Sequence, residues 1–277
     1  TPLYSSAASD VYKRQVRYPL IKPVEGQYAN YSLYCYDASG SRVIVGYWNF
    51  TYGRYAEPYK INITVELATT YGYIDTFWQI INTMDRLIED GRDVYSYYYS
   101  WIETDIQEGS KVKLEYSTYP VSGSRIIIAG SHAYDCWELN TWRSLGYPYL
   151  HDKGSGLMIK YESFLYPTFE PLELLLADTN IPRGASCEHD LGVSLDVKLR
   201  MQPAENTTLK ATVYNLGLNN ETSVHFKILI NSTEVVAETL PELANGTWCI
   251  LDFSWTAITE GVYNVTAYTT PMPVEGT

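Results

Sequence analysis

A chain of 277 residues has room for one large domain or two ordinary ones, and its make-up, 45% hydrophobic and 19% charged, suits a packed core. A net charge of −12 with no cluster of Lys and Arg argues against a nucleic-acid partner, because phosphate neutralisation needs clustered cations. No stretch approaches the roughly 18 uninterrupted apolar residues of a membrane-spanning helix. The nearest, Phe164–Ala177, is short and carries two prolines and two glutamates, so membrane attachment is expected only through parts outside this sequence.

In chain order, the first segment is unusual. Ser5-Ser-Ala-Ala-Ser-Asp-Val-Tyr-Lys-Arg-Gln15 resembles the in-frame translation of a transposase-type sequencing adapter. Residues 1–15 are therefore expected to be non-native and to pack against nothing, the native chain entering near Val16 from a metagenomic read. Removing Asp10, Lys13 and Arg14 from 32 acidic and 20 basic residues leaves 31 and 18, a net charge of −13.

Residues 16–184 read as a β-rich surface domain. Strands are predicted at Val43–Tyr52, Tyr59–Leu67, Lys111–Tyr116, Ser124–Ala129, Ala133–Asn140, Tyr147–His151 and Gly156–Tyr161, the last two as a hairpin around Asp152-Lys-Gly-Ser-Gly156. Between them, Ile74, Phe77, Trp78, Ile81, Met84 and Ile88 recur at helical spacing before Gly91. That spacing predicts one helix; the rival reading makes Asn82-Thr-Met-Asp85 a turn between two strands. The part as a whole loosely resembles uncharacterised domains of archaeal surface proteins and, faintly, the half-barrels of periplasmic lipoprotein carriers.

Tyrosine is over-used, with 27 copies against 6 Phe, and it is densest in Tyr95–Trp101. On a strand Tyr97, Tyr99 and Trp101 would share one face, either packed in the core or exposed as a stripe for sugar rings or apolar ligands. Glu103 and Asp105 follow, the residue types of a glycosidase pair, but their spacing alone reads as solvated acids. Ser131, His132 and Asp135 are close only in sequence, and catalytic triads are gathered by the fold. His132 with Cys136 and Cys187 with His189 lack the second half of a tetrahedral metal site. No catalytic residue, cofactor or metal site is expected, and the chain is read as not an enzyme.

Eight Asn-x-Ser/Thr sequons, at Asn30, Asn49, Asn62, Asn206, Asn220, Asn231, Asn245 and Asn264, take more than half of the thirteen asparagines. They point to an extracellular, cell-surface glycoprotein, since bulky glycans need outward positions. Around Asn62, Ile61, Ile63, Val65 and Leu67 fall on the opposite strand face. The four cysteines, Cys35, Cys136, Cys187 and Cys249, are compatible with disulfides or with buried thiols. By strand parity Cys187 and Cys249 are the candidate pair, closing about sixty residues for roughly 4 kcal/mol.

A boundary is expected at Asn180-Ile-Pro-Arg-Gly-Ala-Ser186. Beyond it, residues 185–277 alternate regularly: Leu191 to Val197, Leu209 to Val213, Val224 to Ile230, Val235–Val236, Cys249 to Trp255 and Val262–Tyr268, separated by turns. This is the signature of an antiparallel sandwich. Asp190-Leu-Gly-Val193, Leu209-Lys-Ala-Thr-Val213, Asn215 with Gly217, Phe253-Ser-Trp-Thr256 and Glu260-Gly-Val-Tyr-Asn-Val-Thr-Ala267 resemble the cell-adhesion-related domain of bacteria and archaea, CARDB. The resemblance implies an immunoglobulin-like β-sandwich in extracellular, archaeal use, and carries no catalytic residue. Such domains usually continue into a final strand, so the domain is expected to be truncated. The whole reads as a mainly β, non-catalytic fragment for adhesion or scaffolding, its partners other surface proteins or glycans. A glycan- or lipid-binding module, or an accessory region of a larger secreted enzyme, is the alternative.

Overall fold

The computed structural model describes residues 23–140, 148–165, 170–182, 189–198, 202 and 204–270. Residues 1–15 and most of the expected boundary stretch lie outside them. The described residues form strands and turns with no helix, the mainly β class read from the sequence. The chain divides into two compact units, residues 1–125 with 136–184 and residues 126–135 with 185–277.

The first eleven strands are β1 (Tyr28–Tyr36), β2 (Arg42–Glu57), β3 (Lys60–Thr69), β4 (Ile74–Asn82), β5 (Ile88–Gly91), β6 (Lys111–Leu114), β7 (Ser117–Ala129), β8 (His132–Leu139), β9 (Tyr149–Asp152), β10 (Met158–Leu165) and β11 (Glu170–Thr179). They form one sheet in the order β5-β4-β3-β2-β1-β11-β10-β9-β8-β7-β6. The first and last of these strands meet antiparallel at its centre, and each half runs outward as a meander of neighbours. One face is apolar because side chains alternate. Ala29, Tyr31, Leu33 and Cys35 of β1, Ile61, Ile63 and Val65 of β3, and Leu174 and Leu176 of β11 are all buried.

The helix expected over Ile74–Gly91 is corrected to two strands, β4 and β5. Nine consecutive pairs with β3, Lys60↔Asn82 through Ala68↔Ile74, supply the ladder. The apparent helical spacing mixes inward Phe77 and Ile81 with outward Ile74 and Trp78, the latter pair 77% and 47% exposed. Asn82 and Asp85 make the turn: their Oδ1 atoms accept the backbone N–H of Met84 and Leu87, both at 3.0 Å. The rival reading placed its turn correctly.

Strands β5 and β6 are consecutive in the chain yet form opposite edges of the sheet. The segment between Gly91 and Lys111 must therefore cross from one edge to the other, and Tyr97 ties both. It bridges Leu87 on one side and Glu115 on the other, with Tyr97 N donating to Glu115 O at 2.7 Å and Glu115 N to Tyr97 O at 2.6 Å.

In the second unit, β12 (Leu191–Asp196), β13 (Asn206–Asn215) and β16 (Trp248–Thr256) form one three-stranded sheet, while β14 (Glu221–Ile230), β15 (Thr233–Leu243) and β17 (Val265–Thr270) form the other. Leu209, Ala211 and Val213 face Val224, Phe226, Ile228 and Ile230 in one core, with Phe226 stacked on Phe253. This is the antiparallel sandwich read from the alternation, with the immunoglobulin-like fold that the CARDB resemblance implies. A smaller cluster joins Ala133 to Tyr214 and Leu216.

Asn215 ends β13 fully buried; its Nδ2 donates to Asn219 O at 2.8 Å and Leu243 O at 2.9 Å, and its Oδ1 accepts from Gly217 N at 3.0 Å. Asn215→Ala takes the side-chain donor from Asn219 O and Leu243 O and one of two acceptors from Gly217 N, which keeps Asp190 O at 3.1 Å, and should cost about 2–4 kcal/mol, read as a lower urea midpoint at unchanged slope.

Candidate functional site

The aromatic run Tyr95–Trp101 is not a strand. Positive φ at Asp93 (61°) and Tyr95 (70°) turns the chain, and isolated bridges at Tyr97 and Trp101, with Tyr95 N donating to Ile88 O at 2.9 Å, hold it to the sheet. Both readings of Tyr97, Tyr99 and Trp101 on one strand face, packed or exposed, presuppose a strand that this run does not form. Trp101 is 3% exposed, and Tyr97 and Tyr99 are half-buried in different surroundings. Lys113 Nζ donates to Tyr97 Oη at 3.0 Å and lies 4.8 Å from its ring centre. Tyr99 packs among Trp48, Phe50, Tyr98 and Tyr149, with centroids 6.0–6.3 Å away. Such edge-on and tilted contacts are core packing.

Behind this run lies a buried polar layer. Ser100 Oγ donates to Tyr98 Oη at 2.7 Å, and Tyr52 Oη lies 3.4 Å from Tyr98 Oη and 3.3 Å from Ser100 Oγ. Burial pushes the Tyr98 hydroxyl well above its ordinary pKa, so it stays protonated. Arg86, only 3% exposed and at φ 64°, spans both sheet edges. Its Nη1 donates to Lys113 O at 2.9 Å, Tyr98 O at 3.1 Å and Trp101 O at 3.4 Å, and its Nε to Glu103 Oε1 at 3.1 Å. Glu103 is thus a counter-ion, while Asp105 is exposed. His151 is fully buried, its Nε2–H donating to Tyr99 O at 2.7 Å. Glu173, 1% exposed, accepts from Tyr36 Oη at 3.0 Å and pairs with Lys160 at 3.0 Å and with Arg42.

Sequence reasoning passed over Arg86, His151 and Glu173. Glu173 alone carried a signal, as the one acid inside Leu172–Leu176.

Ser131 Oγ and His132 Nδ1 lie 3.1 Å apart on the exposed β7–β8 tip. Among the described residues no group of three or more His, Cys, Asp and Glu is arranged to hold a metal ion. Cys249 points inward with Leu251 and Phe253, but Cys187 lies outside the described residues, and so does their pairing. Cys35 and Cys136 are buried on β1 and β8, with three strands of the sheet between them. In the second unit a cleft of about 580 Å³ opens beside Leu209, Trp255, Tyr263 and Val265, at one end of the sandwich core.

No sequon asparagine is buried. Asn30, Asn49 and Asn62 share the polar outer face of the large sheet, and Asn30 pairs directly with Asn49. Asn206 opens β13. Asn220 Oδ1 accepts from Asn245 N at 3.0 Å, and Asn231 Oδ1 from Asn264 N at 2.8 Å.

The C-terminal unit is thus defined by its fold as an immunoglobulin-like sandwich whose characteristic residues are structural. Residues 188–272 match the CARDB family model, a family of non-catalytic immunoglobulin-like domains found in surface or secreted proteins. No curated protein matches the chain. The crystal structure of MucB in complex with MucA(peri) is similar over 76% of this chain and 75% of that one, at 12% identity and a TM-score of 0.27, which bears on neither fold nor function.

Proposed function

We infer that this is a non-catalytic, N-glycosylated module of an extracellular cell-surface protein, used for adhesion or scaffolding. The observation that carries this reading is the placement of the sequons: six asparagines are exposed and Asn30 and Asn49 half-exposed. The CARDB match of residues 188–272 supports the same compartment. Arg86 and the Tyr98 hydroxyl of the polar layer are engaged in internal hydrogen bonds, which favours a structural role over a catalytic one. Its partners in this reading are other surface proteins or glycans.

The test is secretion of the chain from a glycosylation-competent host, peptide mapping of all eight sites, and binding of the product to intact cells and to glycan and lipid arrays. Occupied sequons with binding to cell surfaces are the expected result. A secreted chain bare at every sequon overturns the glycoprotein reading, and saturable binding to one soluble lipid or sugar favours a ligand-binding module instead.

A further inference from the structure

We propose that Tyr47 is the platform for a glycan linked to Asn49, and Tyr28 for one linked to Asn30, so that neighbouring glycans leave the sheet in opposite directions. The proposal rests on the extracellular reading above and adds what these two sites do with their sugars.

The two sequons are 19 positions apart in the chain but directly opposed across β1 and β2, which brings their Cβ atoms to about 5 Å. Two glycans rising side by side from such a pair would collide, and the strand pattern gives each its own direction. Residues two apart on a strand share a face, about 6.6 Å from each other. Each asparagine therefore has a tyrosine beside it at the position two before, Tyr28 for Asn30 and Tyr47 for Asn49. Because the strands are antiparallel, these tyrosines lie on opposite sides of the pair: Tyr28 is opposite Thr51, and Tyr47 is opposite Ser32.

Tyr47 is 47% exposed, and its cross-strand neighbours Ser32 and Ala68 are small, which leaves the ring face open. Tyr28 is held in place by its hydroxyl, which donates to Asp178 Oδ2 at 2.9 Å. A pyranose ring, with one face of C–H groups, is a ligand that an open aromatic face takes. Asn206 lacks this feature, with Ala204 at the same offset.

Attachment forms a bond between the asparagine Nδ2 and C1 of the sugar. One amide proton leaves, and the lipid-linked phosphate carrier that delivered the sugar departs with the electron pair of the broken C1–O bond. Neither amide is held by a side-chain hydrogen bond among the described residues, unlike Asn245, whose Nδ2 donates to Leu218 O at 2.9 Å.

The experiment uses the full chain secreted from a eukaryotic host and trimmed to one N-acetylglucosamine per site. Thermal midpoints are compared for the parent, Y47S, N49Q and the double variant, with peptide mapping of occupancy. Y47S should lower the midpoint by about 2–4 °C when Asn49 carries its sugar and by under about 1 °C in the N49Q background. Additive effects overturn the platform. Other sequons occupied with Asn49 bare sink this inference alone, whereas no sugar at any of the eight sites sinks the glycoprotein reading with it.

Discussion

Arg86→Met is expected to destabilise the first unit by about 3–5 kcal/mol, the range for breaking a buried, hydrogen-bonded charge. The methionine can fill the space of the arginine stem, so the loss comes from hydrogen bonds and not from a cavity. Three carbonyls, those of Tyr98, Trp101 and Lys113, lose their shared donor inside a water-poor region, and each buried unsatisfied group costs about 1–3 kcal/mol. The position matters more than the count. Lys113 is on the edge strand β6, whereas Arg86 precedes the opposite edge strand β5, so the guanidinium holds together two ends of the sheet that no backbone ladder joins directly. Glu103→Gln provides the contrast. Glu103 is 31% exposed and keeps an acceptor oxygen for Arg86 Nε, so the change should cost under about 1 kcal/mol. Urea unfolding followed by tryptophan fluorescence reads both. An Arg86→Met shift no larger than that of Glu103→Gln would mean that the edges are held by Tyr97 alone.

The same non-local contacts explain what could be read in the sequence. The C-terminal sandwich was legible because each strand alternates inward hydrophobes with outward polar residues, as Leu209, Ala211 and Val213 do against Thr208, Lys210 and Thr212. Strand β1 escaped notice because tyrosine stands on both of its faces: Tyr31 is buried, while Tyr28 and Tyr34 face outward. Strand β11 was hidden for the opposite reason. It is a central strand with leucines on both faces, and such a run has no period of two. The false helix arose where β4, the turn after it and β5 happened to space their apolar residues three or four apart. The polar layer could not be read because its partners are distant in the chain: 52 positions separate His151 from Tyr99, and 27 separate Arg86 from Lys113. A single histidine between two apolar strands carries no local mark of the carbonyl it will meet.

That histidine sets the second large expectation, a loss of stability on mild acidification. His151 is fully buried, and its pKa is lowered to about 3, first by desolvation of the imidazolium and then by the positive charge of Arg86; the hydrogen bond to Tyr99 O acts in the opposite direction. Unfolded, the same ring titrates near 6.5. Between those values the unfolded chain binds the extra proton, so the contribution of His151 is complete above about pH 6.5 and is lost as pH falls toward 3. The slope is about 1.4 kcal/mol per pH unit, on the order of 3 kcal/mol by pH 4.5. Other groups titrate lower. Asp75, held down by Arg92, and Glu89, held down by Asn82 and Lys60, begin to lose their contribution only near their unfolded values. Glu115, whose carboxyl burial pushes up, acts in the opposite sense. His151→Gln isolates the ring, because glutamine can still donate to Tyr99 O but takes no proton, and the carboxylates are common to both proteins. The variant should be less stable than the parent at pH 7 by about 1–2 kcal/mol, for an imperfect replacement of one buried donor. The gap should close and then reverse as pH falls to 4.5, because only the parent pays for a buried neutral imidazole. Urea midpoints at pH 7, 6, 5 and 4.5 read the difference directly. A gap that stays constant over that range would mean that His151 reaches solvent and titrates in the folded protein as it does in the unfolded chain.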